Sequence, residues 1–284
     1  MPIAPIAKLT GFAALLAVLV VGGIALGGAV DPGRSTAAPD AGHGAAASHE
    51  GGGGPPVRGL AVAENGLRLV VDDSELASGR PQQLRFRIVD DDGATVSGFD
   101  VAHTKRMHVI VARRDLTNFQ HLHPEQAADG SWSAPLGIAE PGSYRLFADF
   151  ERDGEKTTLA ADLAADGAAD LRPLPAPAGR AVSDGGYDVE LDADGALPGE
   201  EARLDFTVTK DGREAQTEPY LGAGGHLVAL REGDLAFLHV HPTEDATGGA
   251  AFDATFPTQG RYRLFLQFQV EGEIQTVAFT QEVR

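Results

Sequence analysis

Hydrophobic and polar residues alternate along much of the chain after residue 57. Leu84, Phe86 and Ile88 interleave with Arg85 and Arg87, and Leu204, Phe206 and Val208 interleave with Asp205 and Thr207. A period of two marks β-strands with one buried face. Turn-forming pairs separate these runs: Asp91-Asp92-Gly93, Ala128-Asp129-Gly130, Asp153-Gly154, Lys210-Asp211-Gly212 and Glu271-Gly272. No amphipathic helical period of useful length follows residue 57.

The pattern occurs twice, at an offset of 118 residues. His108 maps to His226, Phe119 to Phe237, His121 to His239, His123 to His241 and Pro124 to Pro242. Farther on, Gly142, Tyr144, Arg145, Leu146, Phe147 and Phe150 map to Gly260, Tyr262, Arg263, Leu264, Phe265 and Phe268. A period this long means tandem domains rather than a solenoid. About seven short strands in roughly 105–110 residues fit a β-sandwich. Pro141-Gly-Ser-Tyr144 and Gln259-Gly-Arg-Tyr262 put a tyrosine just after a turn, as in the tyrosine corner of immunoglobulin-like sandwiches. Trp132 reads as a core residue, with Phe252 as its counterpart.

The predicted fold is all-β: two tandem immunoglobulin-like β-sandwiches after one N-terminal hydrophobic helix. The expected boundaries are 1–30 for a membrane anchor or signal segment and 31–57 for a Gly/Ala/Pro linker. They continue with 58–168 for the first sandwich, 169–180 for a Pro-rich connector and 181–284 for the second sandwich. Leu9 to Val30 are 22 uncharged residues, enough to cross a bilayer at about 20 residues per span. Lys8 precedes this run, which places residues 31–284 outside the membrane. Ala25-Leu26-Gly27 has the small-x-small form of a cleavage site, so the expected location is the cell membrane, or secreted if the segment is removed.

Composition narrows the chemistry. The chain has 23 Lys+Arg against 41 Asp+Glu, a net charge of −18, and shows no basic patch, so nucleic-acid binding is not expected. With no cysteine and only Met1 and Met107, disulfides, thiolate metal sites and methionine-rich copper(I) sites are excluded. No nucleophile elbow, phosphate loop or dinucleotide fingerprint occurs, and an enzyme is not expected. Asp90-Asp91-Asp92 reads as a solvated hairpin turn rather than a calcium loop.

Of nine histidines, His43 and His49 fall in the linker and six others are paired by the repeat. Each copy has a single histidine followed about a dozen residues later by His-x-His-Pro: His108 with His121 and His123, and His226 with His239 and His241. Residues i and i+2 of a strand share a face, so His121 and His123 can address one ion, and antiparallel pairing can bring His108 beside them. Three imidazoles suit zinc, and nitrogen-rich sites suit copper(II). Met107 then faces away from His108. His103 maps to Leu221 and stands outside the repeated set. An alternative is that the histidines are structural, bonding across a sheet or to turn carbonyls. Whether there are two sites or one shared site is open, as is which face of the His-x-His strand is buried. Neutral imidazoles would bind copper(II) or zinc with affinity falling below pH ~6.

The run His103-Thr-Lys-Arg-Met-His108 through Phe119-Gln-His-Leu-His-Pro124, then Pro141-Gly-Ser-Tyr-Arg-Leu-Phe-Ala-Asp-Phe150, resembles a family of bacterial exported or membrane-anchored proteins labelled secreted or heavy-metal-binding-domain proteins. Glu218 through Pro242 resembles them as well. A looser similarity runs to CopC-like periplasmic copper carriers. The resemblance implies an extracytoplasmic β-sandwich that handles metal. The expected partners are a metal ion, the membrane through the N-terminal helix, and an envelope protein. The alternative function is a structural or interaction module of the cell envelope.

Overall fold

A computed structural model describes residues 57–284 apart from 194, 239 and 244–248. The hydrophobic segment Leu9–Val30 and His43 and His49 lie outside the described residues, and so does His239. Among the described residues no helix is long and apolar enough to cross a membrane; the described chain is all-β.

The first half contains β1 (Ala63–Glu64), β2 (Leu67–Val71), β3 (Glu75–Leu76), β4 (Arg80–Asp90), β5 (His108–Arg113), β6 (Gln120–Leu122), β7 (Glu125–Gln126), β8 (Trp132–Ile138), β9 (Gly142–Arg152) and β10 (Glu155–Ala165). They form two sheets, ordered β1-β2-β4-β8-β7 and β3-β10-β9-β5-β6. The second half contains β11 (Arg180–Val182), β12 (Asp188–Asp192), β13 (Glu201–Lys210), β14 (Arg213–Glu214), β15 (His226–Arg231), β16 (Phe237–Leu238), β17 (Val240–Pro242), β18 (Gly249–Thr255), β19 (Gly260–Val270) and β20 (Glu273–Val283). Its sheets run β11-β12-β13-β18-β17, with β14 beside β13, and β16-β15-β19-β20.

Each half packs its two sheets over its own core. Leu84, Phe86 and Ile88 of β4 and Trp132 of β8 belong to the first, and Leu204, Phe206 and Val208 of β13 and Phe252 of β18 to the second. Arg85 and Arg87 point to water. Two-residue turns at Asp153-Gly154 and Glu271-Gly272 join the longest strands, and all four residues have positive φ, the backbone that a tight right-twisted hairpin requires. Asp90-Asp91-Asp92 makes a turn in which Asp90 Oδ1 accepts from the backbone N–H of Asp92 and Ala94.

The inner sheets depart from simple alternation. All six residues of β5 are buried. Val109 and Val111 face the first core, while Ile110 and Ala112 join a third cluster with Phe147, Ala160, Val228, Leu230, Phe237 and Phe265. These residues come from both halves, so the inner sheets are packed face to face. The arrangement is pseudo-twofold: Phe119 stacks on Phe265 at 4.1 Å, and their repeat partners Phe237 and Phe147 meet at 5.6 Å. The connector takes part, with Leu174 buried in this cluster and the backbone N–H of Arg172 donating to Asp115 at 2.9 Å. Gly59, at φ +69°, is needed where the chain passes this interface: a Cβ there would lie 2.7 Å from Phe237 Cβ and 2.9 Å from Phe147 Cδ1.

Both halves have a tyrosine corner. Tyr144 Oη donates to the carbonyl of Glu140 at 2.6 Å, and Tyr262 Oη to that of Thr258 at 2.8 Å. Tyr144→Phe and Tyr262→Phe are each expected to remove about 1 kcal/mol, a Tm drop of about 2–4 °C. Calorimetry that finds both variants unchanged would show that the corner contributes nothing.

Candidate metal centre

The pairing of β5 with β6 sets Ile110 opposite His121 and Val109 opposite Leu122. His108 therefore falls level with His123, one step beyond the last pair. Strand parity then puts His108, His121 and His123 on the face that carries Ile110 and Phe119 toward the other half. Leu122 turns to the first core, where Met107 is also buried. The open choice of which face of the first His-x-His strand is buried is resolved because both faces of this sheet are covered, Leu122 on one and Phe119 on the other.

One candidate ligand atom from each of His108, His121 and His123 lies within 4.8 Å of the others. His226, the first residue of β15, enters the same cluster from the second half. Its ring is 4.5 Å from that of His121 and 5.4 Å from that of His108. His103, outside the repeated set, lies 6.1 Å from His108 and 6.0 Å from His226. Thus the two predicted groups are not separate: His226 meets the first triad. His241 is exposed on β17; the pKa of His103 is lowered chiefly by burial and by His108, with His241 adding to the effect. His239 lies outside the described residues. Pro242 is the last residue of β17, an edge strand, where proline is tolerated.

His103 was missed because its repeat partner is Leu221. A signal for it lies in the backbone. His103 and Thr104 have φ of 47° and 67°, as Leu221 and Gly222 have φ of 54° and 84°. A left-handed β-branched threonine is a strained choice, and it holds the turn that sets His103 against the cluster.

Hydrogen bonds constrain which nitrogens carry protons. His108 Nε2 lies 3.1 Å from the carbonyl oxygen of Ala102, which can only accept, so Nε2 is the N–H. Gln267 Nε2 donates to Thr276 Oγ1 at 3.2 Å, which turns its Oε1 toward His121 Nδ1 at 2.8 Å. In this amide orientation His121 carries its proton on Nδ1, and His108 Nδ1 and His121 Nε2, 3.1 Å apart, are both left as lone pairs; with the amide turned over, His121 Nε2–H donates to His108 Nδ1. His123 Nε2 is buried without a hydrogen-bond partner.

A proton between the two lone pairs would relieve their opposition, but the surroundings disfavour it. Burial, then the neighbouring His108 and His123, lowers the pKa of His121 to about 3. Burial, His108 and Lys105 lower that of His123 to about 4. Burial is also the main reason His108 falls below the usual histidine value and His226 well below it. Asp149 stands opposite His108 across β5 and β9 and accepts from Thr158 Oγ1 at 2.6 Å. Burial raises its pKa. At position 267 the second half has Gln where the first has Asp149, and its partner Thr276 is the repeat of Thr158.

A family pattern matches the chain twice, over residues 61–167 and 180–284. The chain belongs to this family, described as domain of unknown function DUF8832. No curated protein matches it. Among solved structures, this DUF8832 chain is similar to the Escherichia coli adhesin FdeC, at 18% identity over 79% of this chain and 66% of that one, with a TM-score of 0.27. It is also similar to Salmonella alpha-2-macroglobulin, at 15% identity over 80% of this chain and 15% of that one, with a TM-score of 0.27. A third is invasin, a bacterial integrin-binding protein, at 16% identity over 75% and 39%, with a TM-score of 0.21. The chain spans less than two thirds of each of these relatives.

The lowered values move the acid response from the pH ~6 expected of free imidazoles to about pH 4 and below for the folded site. In the unfolded chain His121 and His123 take up protons near pH 6.5, and in the folded chain they do not until about pH 4 and below, so at these two residues the unfolded state binds more protons between these limits. Stability therefore rises with pH across that window and falls on acidification. Asp149, with its raised pKa, acts in the opposite sense and blunts the slope. Urea unfolding between pH 6.5 and 5 is expected to show the midpoint falling with pH, and less steeply in His121→Asn. An equal slope in the two proteins would contradict the burial of a neutral His121.

Proposed function

We propose that this protein binds a transition-metal ion, copper(II) or zinc, at the histidine cluster, outside the membrane to which its N-terminal segment tethers it. The observation that carries this reading is the convergence of His108 Nδ1 and His121 Nε2, 3.1 Å apart, while each ring's other nitrogen lies against a side-chain or backbone oxygen, Gln267 Oε1 and the Ala102 carbonyl; with both of those nitrogens as donors, the facing pair is free to bind an ion. Metal-ligating histidines are oriented in this way, donating the far N–H to a carbonyl or carboxylate so that the near lone pair points at the ion. The buried, unpartnered Nε2 of His123 supplies a third donor. Neutral nitrogens suit zinc and copper(II), and neither requires a thiolate. The surplus of carboxylates, a net charge of −18, favours the approach of cations. Leu9–Val30 and the resemblance to exported heavy-metal-binding-domain proteins support the extracytoplasmic placement, and the paired tyrosine corners support immunoglobulin-like sandwiches. The protein acts as a binding module rather than an enzyme, with a possible envelope partner.

A second reading is favoured by the same hydrogen bonds. If the Gln267 amide is turned over, its N–H donates to His121 Nδ1, His121 Nε2–H donates to His108 Nδ1, and His108 Nε2–H donates to Ala102. That chain satisfies the first two rings with no ion, and the protein is then a structural or interaction module of the envelope.

Titration of the full chain with zinc and with copper(II) separates the two. Saturable uptake near one ion per chain is expected, lost when His108, His121 and His123 are changed together to alanine. No uptake, together with a fall in metal-free stability in His121→Ala, would establish the hydrogen-bonded reading instead.

A further inference from the structure

The second half reaches the triad at two points. Gln267 Oε1 accepts from His121 Nδ1, and Thr276 holds Gln267 in place. The His226 ring lies 4.5 Å from His121, as near as His123 at 4.6 Å, although His123 follows His121 in the same segment. His226 opens the strand that sends Val228 and Leu230 into the shared cluster, so its place beside the triad is set by the docking of the two inner sheets. Its plane is 8° from that of His108 and 20° from that of His121, and His103 packs edge-on against it. Three protein nitrogens leave one position open in a four-coordinate site, and among the described residues the nearest further imidazole belongs to the other half.

Resting on the metal reading above, we propose that the ion is shared between the two sandwiches, with His226 as its fourth imidazole ligand and Gln267 as the positioning residue that fixes the tautomer of His121. Neither half then holds a complete site. The ion binds the docked arrangement and not a separated one, so loading stabilises docking by mass action. Apolar contacts join the halves in the free protein, and coordination adds a bond across the same interface in the loaded one. Four protein nitrogens leave no open position for a substrate, which makes the ion structural or stored and not catalytic.

Zinc titration and copper(II) electron paramagnetic resonance of the full chain and its variants test this. Copper-loaded wild type is expected to show four coupled nitrogens and His226→Ala three. Zinc affinity is expected to fall at least about 10–100-fold in His226→Ala, by analogy with the loss of metal-site partners, and the zinc-induced rise in Tm is expected to shrink. Gln267→Leu is expected to weaken zinc about 10-fold with the nitrogen count unchanged, because it orients a ligand without being one. Equal affinity and equal nitrogen counts in wild type and His226→Ala would overturn the shared site while leaving the triad as a metal centre. Absence of any zinc or copper uptake by wild type would remove the metal reading and this inference together. If near-ultraviolet circular dichroism shows that His226→Ala does not fold, His226→Gln is judged by the same criteria.

Discussion

Two sheets that are apolar on both faces cannot each stand alone in water. This constraint organises the molecule. β5 buries one set of side chains in its own sandwich and leaves Ile110 and Ala112 on the other face, and β15 does the same with Val228 and Leu230. Covering each sheet with the other removes both faces from solvent. At about 25 cal/mol per Å² of apolar surface, an interface containing Phe119, Phe147, Phe237 and Phe265 is a large term beside the marginal stability of a domain. The histidines occupy the ends of those same strand faces. They are therefore buried because the sheets dock, and their neutrality follows from the burial.

Duplication made the two halves alike, and the interface shows where they have since diverged. Phe119 on Phe265 and Phe237 on Phe147 preserve the symmetry. Arg113 with Asp115 and Arg231 with Asp234 preserve it as well, with the acid one position later in a second loop of the same length. The polar end of the interface is not symmetric. Asp149 faces Gln267, His103 faces Leu221 and Thr104 faces Gly222 as repeat partners. An amide at 267 can accept from His121 while donating to Thr276. A carboxylate at that point would add a buried negative charge, and Asp149, which has one, responds with a raised pKa. The differences cluster at the histidines, where chemistry depends on single atoms, whereas apolar contacts tolerate exchange of one hydrocarbon for another.

Much of each sandwich was legible in the sequence because alternation and turn residues are local. Leu84-Arg85-Phe86-Arg87-Ile88 specifies a half-buried strand, and Asp153-Gly154 specifies the turn between β9 and β10. The shared face of His121 and His123 followed from strand parity alone, as did the opposite placement of Met107. The docking of the halves was not read, although a trace of it was present. Val109-Ile-Val-Ala112 and Leu227-Val-Ala-Leu230 are unbroken apolar runs, the mark of strands covered on both sides. Such a run says that a cover exists but not what provides it. The joining of His226 to the first triad depends on that cover, so it was legible only as an open choice between one site and two. His103 escaped for a different reason: it sits on a turn, where period carries no information about direction.

The cluster poses a problem of proton placement that its surroundings leave with few solutions. Ala102 accepts at one end and Gln267, oriented by Thr276, accepts at the other. Between them stand two nitrogens that can share one added proton or oppose each other as lone pairs. Adding the proton places a positive charge among buried rings, with Lys105 also disfavouring charge at His108 and His123. A divalent cation is also positive, but it forms several bonds at once: three or four nitrogens offset its desolvation, whereas a proton is held by two. The same burial that excludes the proton thus does not exclude the metal to the same degree, because a proton must be accommodated pairwise and an ion collects every lone pair within reach. On the proposed metal reading, the apolar interface would then act as a selectivity device, with hydrocarbon packing deciding which cation the imidazoles hold.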